Sequence, residues 1–431
     1  MIDSNQNNLT PNEIKLLNAI KNGEEDIRLI LENGNIDVNC RNNYGVSPVY
    51  IAAKNGDLEV IKLLSDSGAD INTPNNDGRT PVWIAALCGH HDTIKVLSEL
   101  GTNIHTTNND GGTPVLIAAQ YGHHDTIKLL SDLGANIHTP NNDGFTPVHA
   151  AAHKGHHDTI RILSDLGANI HTPSNDGFTT VHGAAQNGHH DTIRLLCDLG
   201  ANINTINDQG TTPISIAAIK GHNDTIRVLS ELGANIHAPS NDGSTPVHGA
   251  ALNGQHDTIR VLSDLGANIH TPSNDGFTPV FLAAYIGHND SIRVLSELGA
   301  NINIPANDRS TPVHAAAHQG HLETITLLVS EGANTQLLGT HPIPNFDPSE
   351  AIAEGLALQI IKQENERTVE KKITGILSLF TDPKAVKKTD KKEVISLPED
   401  ILRDEIASFL ETSDNETLAQ LPSSSNYKET T

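Results

Sequence analysis

The segment Asn142–His171 reads NDGFTPVHAAAHKGHHDTIRILSDLGANIH, and nearly the same text returns every 33 residues. It has the pattern of a tight turn, a short helix, a reversal, a second helix and a loop. The proline near the start of the first helix recurs at Pro48, Pro81, Pro114, Pro147, Pro213, Pro246, Pro279 and Pro312, and position 180 holds Thr180 instead. A fixed period of this length is the signature of a repeat architecture.

Each part of the segment has a local physical reason. Gly144 suits a tight turn because glycine reaches positive φ without steric cost. Thr146 is a good helix N-cap, and Pro147 at the first helical position loses no N–H that the helix needs. Gly155 ends the first helix, and Asp158 suits the positive end of the second helix dipole. One such unit cannot bury its own apolar side, so the units must stack.

The repeat pattern also divides the chain. We predict a disordered N-terminus over 1–10, a degenerate N-terminal capping repeat over 11–40 and nine full repeats over 41–335. Prolines mark 336–348 as a linker, and 349–431 is predicted to be a helical tail with a disordered end. Apolar residues with helical spacing early in the tail are Ile352, Leu356, Ile360 and Ile361.

The composition excludes several classes of function. The formal net charge is -24, from 28 basic and 52 acidic residues, and a polyanion of this kind repels nucleic acid and anionic membranes. The sequence shows no secretory signal and no apolar run of about 20 residues that could cross a bilayer. Three scattered cysteines are too few for a disulfide framework. These features predict a soluble protein that works in the reducing cytoplasm.

The motifs TPVHAAA, GHH and GANIH resemble those of the ankyrin repeat family over residues 11–335. The resemblance implies an all-α ankyrin-repeat solenoid, whose helix-turn-helix units carry β-turn fingers. It also implies that the fingers and the first helices line a concave groove that binds partner proteins, with no cofactor. We therefore expect a non-catalytic, monomeric protein-interaction scaffold, and we find no phosphate loop, nucleophile elbow or other enzyme signature.

The family varies two sets of positions to make contacts, namely the residue after the turn glycine and the pair after Ala-Ala. Residues that replace the motif histidine can add to the same face. On this basis the predicted partner-binding residues are Arg79, Trp83, Tyr121, Phe145, Phe178, Phe277, Phe281 and Tyr285. Aromatic side chains dominate binding hot spots, which favours a contact role. The alternative is that each phenylalanine covers the turn of its neighbouring repeat.

The 24 histidines raise two further hypotheses. His149 and His153 form an i,i+4 pair that can bind zinc, but a stable site needs a third or fourth ligand. The family resemblance instead implies structural hydrogen bonds for His149, His182, His248 and His314, and we predict no metal. Protonation of the histidines in acid could alter partner choice. We favour the alternative that most of them are buried and neutral, so that acid destabilises the array.

A second resemblance lies in the tail. The stretch LPEDILRDEIASFL at 397–410 resembles the start of an F-box, which docks a substrate receptor onto a ubiquitin ligase. It implies adaptor-binding roles for Leu397, Pro398, Ile401 and Ile406. Ankyrin arrays with such a tail resemble receptors used by poxviruses and some intracellular bacteria, so a pathogen protein would be delivered into the host cytoplasm. The alternative is an ordinary amphipathic helix.

Overall fold

The computed structural model describes residues 9–23, 27–33 and 36–335. Within those residues it contains twenty α-helices and no strand, which confirms the predicted all-α class. The chain divides into two compact units, residues 1–240 and residues 241–431. The predictions for 1–8 and for the linker and tail after residue 335 lie outside the described residues.

The helices alternate between a first and a second helix in every repeat. Residues 1–240 contain α1 Pro11–Asn22, α2 Ile27–Asn33, α3 Pro48–Asn55, α4 Leu58–Asp66, α5 Pro81–Cys88, α6 His91–Glu99, α7 Pro114–Gln120, α8 His124–Asp132, α9 Pro147–Lys154, α10 His157–Asp165, α11 Thr180–Gln186, α12 His190–Asp198, α13 Pro213–Lys220 and α14 Asn223–Glu231. The second unit contains α15 Pro246–Leu252, α16 His256–Asp264, α17 Pro279–Ile286, α18 Asn289–Glu297, α19 Pro312–Gln319 and α20 Leu322–Ser330.

The first helices begin and end where the sequence predicts. In α9, Pro147 is the first helical residue after the N-cap Thr146, and Gly155 closes the helix with φ +75°. Where threonine replaces this proline, the helix still forms. Thr180 is fully buried, and its hydroxyl donates to the Ile170 carbonyl at 3.1 Å, so the buried polar group is satisfied.

The core consists of thin layers rather than one large centre. In α9, Ala151 and Ala152 are fully buried, and α9 packs against α7 and α11, the first helices of the adjacent repeats. In α10, the side chains of Ile160 and Leu163 are also fully buried. Small residues on the first helices allow neighbouring repeats to approach closely, so each repeat depends on the next for its burial.

The finger turns are joined by hydrogen bonds at the same 33-residue step. The backbone N–H of Asn142 donates to the Asp110 carbonyl at 2.9 Å, and its side-chain Nδ2 donates to the Asn109 carbonyl at 3.0 Å. Asn175 repeats both bonds to the finger of Asn142 and Asp143. This ladder sets the register of the side chains that follow each turn.

Candidate functional site

Beside four of the fingers, the side chain that follows the turn lies against the side chain four residues further on. Four repeats share this arrangement, with ring or cation-to-ring distances of 4.9 Å for Arg79 and Trp83, 5.5 Å for Phe145 and His149, 5.0 Å for Phe178 and His182, and 4.6 Å for Phe277 and Phe281. Aromatic pairs at these separations attract each other by about 1 kcal/mol. The finger side chains are therefore held in place before any partner arrives.

The motif histidine also links its repeat to the next one by a hydrogen bond. The Nε2 of His149 donates to the Phe178 carbonyl at 3.2 Å, and its Nδ1 accepts from the N–H and the hydroxyl of Thr146 at 3.2 and 2.8 Å. His182 makes the same bonds to Thr179 and to the Thr211 carbonyl. The predicted structural role of the motif histidines is confirmed for this pair.

These hydrogen bonds require neutral imidazoles, because Nδ1 must accept while Nε2 donates. Burial lowers the pKa of His149 and of His182 to about 4, and it also lowers the pKa of His248. The imidazoles are therefore neutral at pH 7. The expectation that most histidines are buried is wrong, since His149, His182 and His248 are the buried ones among the described residues. Most others lie in loops or at the starts of second helices, where they meet solvent.

Trp83 occupies the motif-histidine position and makes an equivalent link. Its indole N–H donates to the Gly112 carbonyl at 3.0 Å, 29 residues ahead, as His149 does to Phe178. Trp83 is 3% exposed, and Phe281, in the same position of a later repeat, is 6% exposed. The prediction that these two residues add exposed surface for a partner is therefore corrected. Both side chains pack against the finger residue of their own repeat, Trp83 against Arg79 and Phe281 against Phe277.

The remaining predicted contact residues do present surface. Tyr121 is 51% and Tyr285 is 43% exposed, at the ends of first helices. Phe145 and Phe178 are half-buried, and their rings lie 6.4 Å apart on adjacent fingers. Each ring lies against the motif histidine of its own repeat, so the contact role and the alternative that each phenylalanine covers a neighbouring turn both stay predictions. The structure thus brings Phe145 and Phe178 together within residues 1–240.

Phe277 and Tyr285 belong to the second unit, where Phe277 is also half-buried. The predicted contact residues there did not include Leu252. Leu252 is 41% exposed and follows Ala-Ala in its repeat, as Tyr285 does one repeat later. The rule that identified Tyr285 would have found it.

The finger turns in residues 1–240 carry a row of negative charges. Exposed aspartates occupy the same turn position in four successive repeats, namely Asp77, Asp110, Asp143 and Asp176. Some of these carboxylates form contacts within their own turns, as where Asp77 forms an ion pair with Arg79 at 3.5 Å.

Among the described residues, no group of three or more histidine, cysteine, aspartate or glutamate side chains could hold a metal ion. The suggested adaptor residues Leu397, Pro398, Ile401 and Ile406 lie outside the described part of the chain.

In the part of the chain that the structure describes, no helix is both long and apolar enough to cross a membrane. A comparison with curated proteins finds no match. The family model for ankyrin repeats matches residues 16–108, 97–174, 115–207, 166–240 and 247–339. Ankyrin repeats are generally protein–protein interaction modules, and the family is typically non-catalytic. Repeat period, helix pairs and family match agree, and the chain belongs to the ankyrin repeat family.

Proposed function

We propose that this protein is a non-catalytic scaffold that binds a partner protein on the finger side of its repeats. The proposed contact residues in residues 1–240 are Arg79, Phe145 and Phe178 beside the fingers and Tyr121 at the end of α7, and together we call them the aromatic finger surface. The observation that carries the proposal is the Phe145–Phe178 pair on adjacent fingers, with ring centroids 6.4 Å apart. A rigid, partly exposed aromatic pair offers a partner apolar area at little entropic cost.

Two features of residues 1–240 support a protein ligand rather than a small molecule. The cavity lined by Ile104, Val115 and Ala135 holds about 40 Å³, which is far below the size of a drug-like or cofactor site. The exposed aspartates along the finger tips favour a partner with basic groups facing them. Phe277 and Tyr285 are proposed as contact residues in the second unit on the same grounds.

Site-specific photo-crosslinking tests this proposal. A benzoylphenylalanine probe replaces Tyr121 in the full chain, and a matched probe replaces Leu133, which is 36% exposed at the C-cap of the second helix of the same repeat. We expect partner adducts from position 121, lost when Phe145 and Phe178 are changed to leucine, and none from position 133. Equal adducts from both positions would contradict binding on the finger side.

The receptor function for a ubiquitin ligase remains a second proposal that rests on the sequence of 397–410 alone. Its test is adaptor binding by the full chain and by the Leu397→Ala/Ile401→Ala variant. Loss of adaptor binding in the variant, with the Tyr121 crosslink unchanged, would support it. Absence of adaptor binding to the wild-type chain would remove it and would leave the scaffold proposal intact.

A further inference from the structure

The carboxylate of Asp143 differs from those of the three other aspartates in the finger row. The other three are engaged within their own turns, Asp77 by an ion pair with Arg79, Asp110 by a hydrogen bond from Asn108 Nδ2 at 3.2 Å, and Asp176 by a hydrogen bond from the Ser174 hydroxyl. Within the described residues, the exposed carboxylate of Asp143 accepts no hydrogen bond and pairs with no cation. It is therefore available to a charged group of a partner.

The ring of Phe145, two residues after Asp143, has a neighbour on the following finger but none on the preceding one. It lies against His149 of its own repeat and against Phe178 of the next. The equivalent position of the preceding finger is Gly112, which has no side chain. The φ of Gly112 is not positive, so the backbone does not require glycine there. The glycine leaves room beside the half-buried Phe145 ring.

The finger of Asp77 shows which group fits a carboxylate that lies beside an aromatic ring. The guanidinium carbon of Arg79 lies 4.9 Å from the centre of the Trp83 ring, and its Nη1 lies 3.5 Å from the Asp77 carboxylate. Asp143 holds the position of Asp77 two repeats later, where Phe145 replaces the arginine. The later finger thus keeps a carboxylate and an aromatic ring but supplies no cation of its own.

A guanidinium would satisfy both groups of this finger at once. It is planar, so one face can stack on an aromatic ring while its edge donates two hydrogen bonds to a carboxylate. A lysine ammonium is a compact, strongly hydrated charge that cannot make both contacts through one flat group. The two groups are close enough, because the carboxylate of Asp77 reaches the tip of Arg79, the side chain two residues further on.

We propose that the partner inserts an arginine side chain into the space beside Gly112, stacks its guanidinium on Phe145 and pairs it with the carboxylate of Asp143. This proposal rests on the proposed function, since it names a group of the partner that binds the aromatic finger surface. The formal net charge of -24 would also attract a basic partner to the chain.

A titration with N-acetyl-arginine amide tests the site. The full chain carries ring-¹³C phenylalanine, and the Phe145 resonance is identified by its absence from the Phe145→Leu spectrum. The resonance should shift and saturate with the arginine probe. N-acetyl-citrulline amide has nearly the same shape without the charge, and it should bind about tenfold more weakly. N-acetyl-lysine amide should also bind more weakly than the arginine probe. An equal response to citrulline or to lysine would overturn the proposal.

Two matched variants separate the site from general attraction to an acidic chain. Asp143→Asn removes the available carboxylate and should weaken binding of the arginine probe about tenfold. Asp176→Asn removes one charge as well, but from a carboxylate that already accepts from Ser174, so it should change the affinity little. Equal losses of affinity in the two variants would overturn the pairing with Asp143.

Filling the space beside Gly112 tests where the arginine enters. Gly112→Phe introduces the residue that the next two fingers carry at this position, and it should abolish the response of Phe145 to the arginine probe. Unchanged hydrogen exchange of the α9 amides would verify that the repeats remain folded. A response that survives in this variant overturns the placement. If the wild-type chain does not bind the arginine probe but still forms partner adducts from position 121, the arginine site is overturned and the scaffold proposal stands.

Discussion

Residues 140–172 and 305–335 carry nearly the same motif, but only the first is followed by another 33-residue repeat. In the inner repeat, His149 is buried and donates to the next finger, whereas the equivalent His314 is half-buried. Gly144 is overlain by the next finger, whereas the last finger carries Arg309 in its place. The role of a residue in this array therefore depends on the repeat that follows it as much as on the sequence of its own repeat.

The largest expected effect is a loss of stability in acid, which should be greater in the inner repeats than in the last one. Since the folded pKa of His149 and of His182 is about 4, below the ordinary value near 6.5, the unfolded chain binds protons first. Their contribution to stability is complete above about pH 6.5, is lost as the pH falls toward 4, and changes little below that. Each histidine should lose about 3 kcal/mol over this range, measured by hydrogen exchange of the α9 and α11 amides.

The control for acid lability is the His149→Leu/His182→Leu variant, since Leu116 occupies the same motif position in an earlier repeat. In this variant the α9 and α11 amides should lose no more protection in acid than α7 does. An undiminished loss of protection would assign the acid lability to other groups.

Substitution of the inner turn glycine should have the next largest effect. Gly144 has φ +84°, and an added Cβ would lie 2.6 Å from the backbone nitrogen of Asn175 in the next finger. Gly144→Ala should therefore cost about 3 kcal/mol, from left-handed strain and overpacking together, measured by urea unfolding. Gly167 has φ +90° with nothing near its Cβ, so Gly167→Ala should cost only about 1–2 kcal/mol from strain. Equal costs would refute the role of the overlying finger.

The finger ladder should respond alike in an inner repeat and in the last one, because the finger of Asn175 and that of Asn307 each follow another finger. Asn175 Nδ2 donates to the Asn142 carbonyl and Asn307 Nδ2 to the Asn274 carbonyl, both at 2.8 Å. Changing either asparagine to aspartate removes the donor and should cost about 1 kcal/mol. Urea unfolding of each single variant measures this. A clearly larger cost for Asn175→Asp would mean that the following repeat also matters to this bond.

The smallest expected effect is a gain in stability. Arg309 has φ +71°, and no other non-glycine residue in the described part of the chain has a positive φ. Arg309→Gly should stabilise the last repeat by about 0.5–1 kcal/mol, because glycine adopts this conformation without strain. Hydrogen exchange of the α19 amides measures the gain, with Ser310→Gly as the control that should not stabilise. A loss of stability in Arg309→Gly would show that the arginine side chain makes a compensating contact.

Local sequence was sufficient to predict the elements of the repeats. Thr146, Pro147 and Gly155 marked the start and the end of α9, because capping depends on residues within one turn of the helix end. The same reasoning identified Tyr121 and Tyr285 as exposed. It placed Trp83 and Phe281 on the surface wrongly, because their burial depends on the next repeat, where Trp83 bonds to Gly112 and Phe281 packs with Ala306 and Ala315.

The amino-acid pattern alone predicts the repeat period, the positions of the helices and the membership of the family, since each follows from short-range chemistry repeated every 33 residues. Which side chains face solvent and which contact the neighbouring repeat depends on how the repeats stack. Trp83 and His149 make the same link with different chemistry, and only His149 can lose it in acid. The physical reason is that burial and pKa arise from the stacking of repeats, which brings together groups that are far apart in sequence.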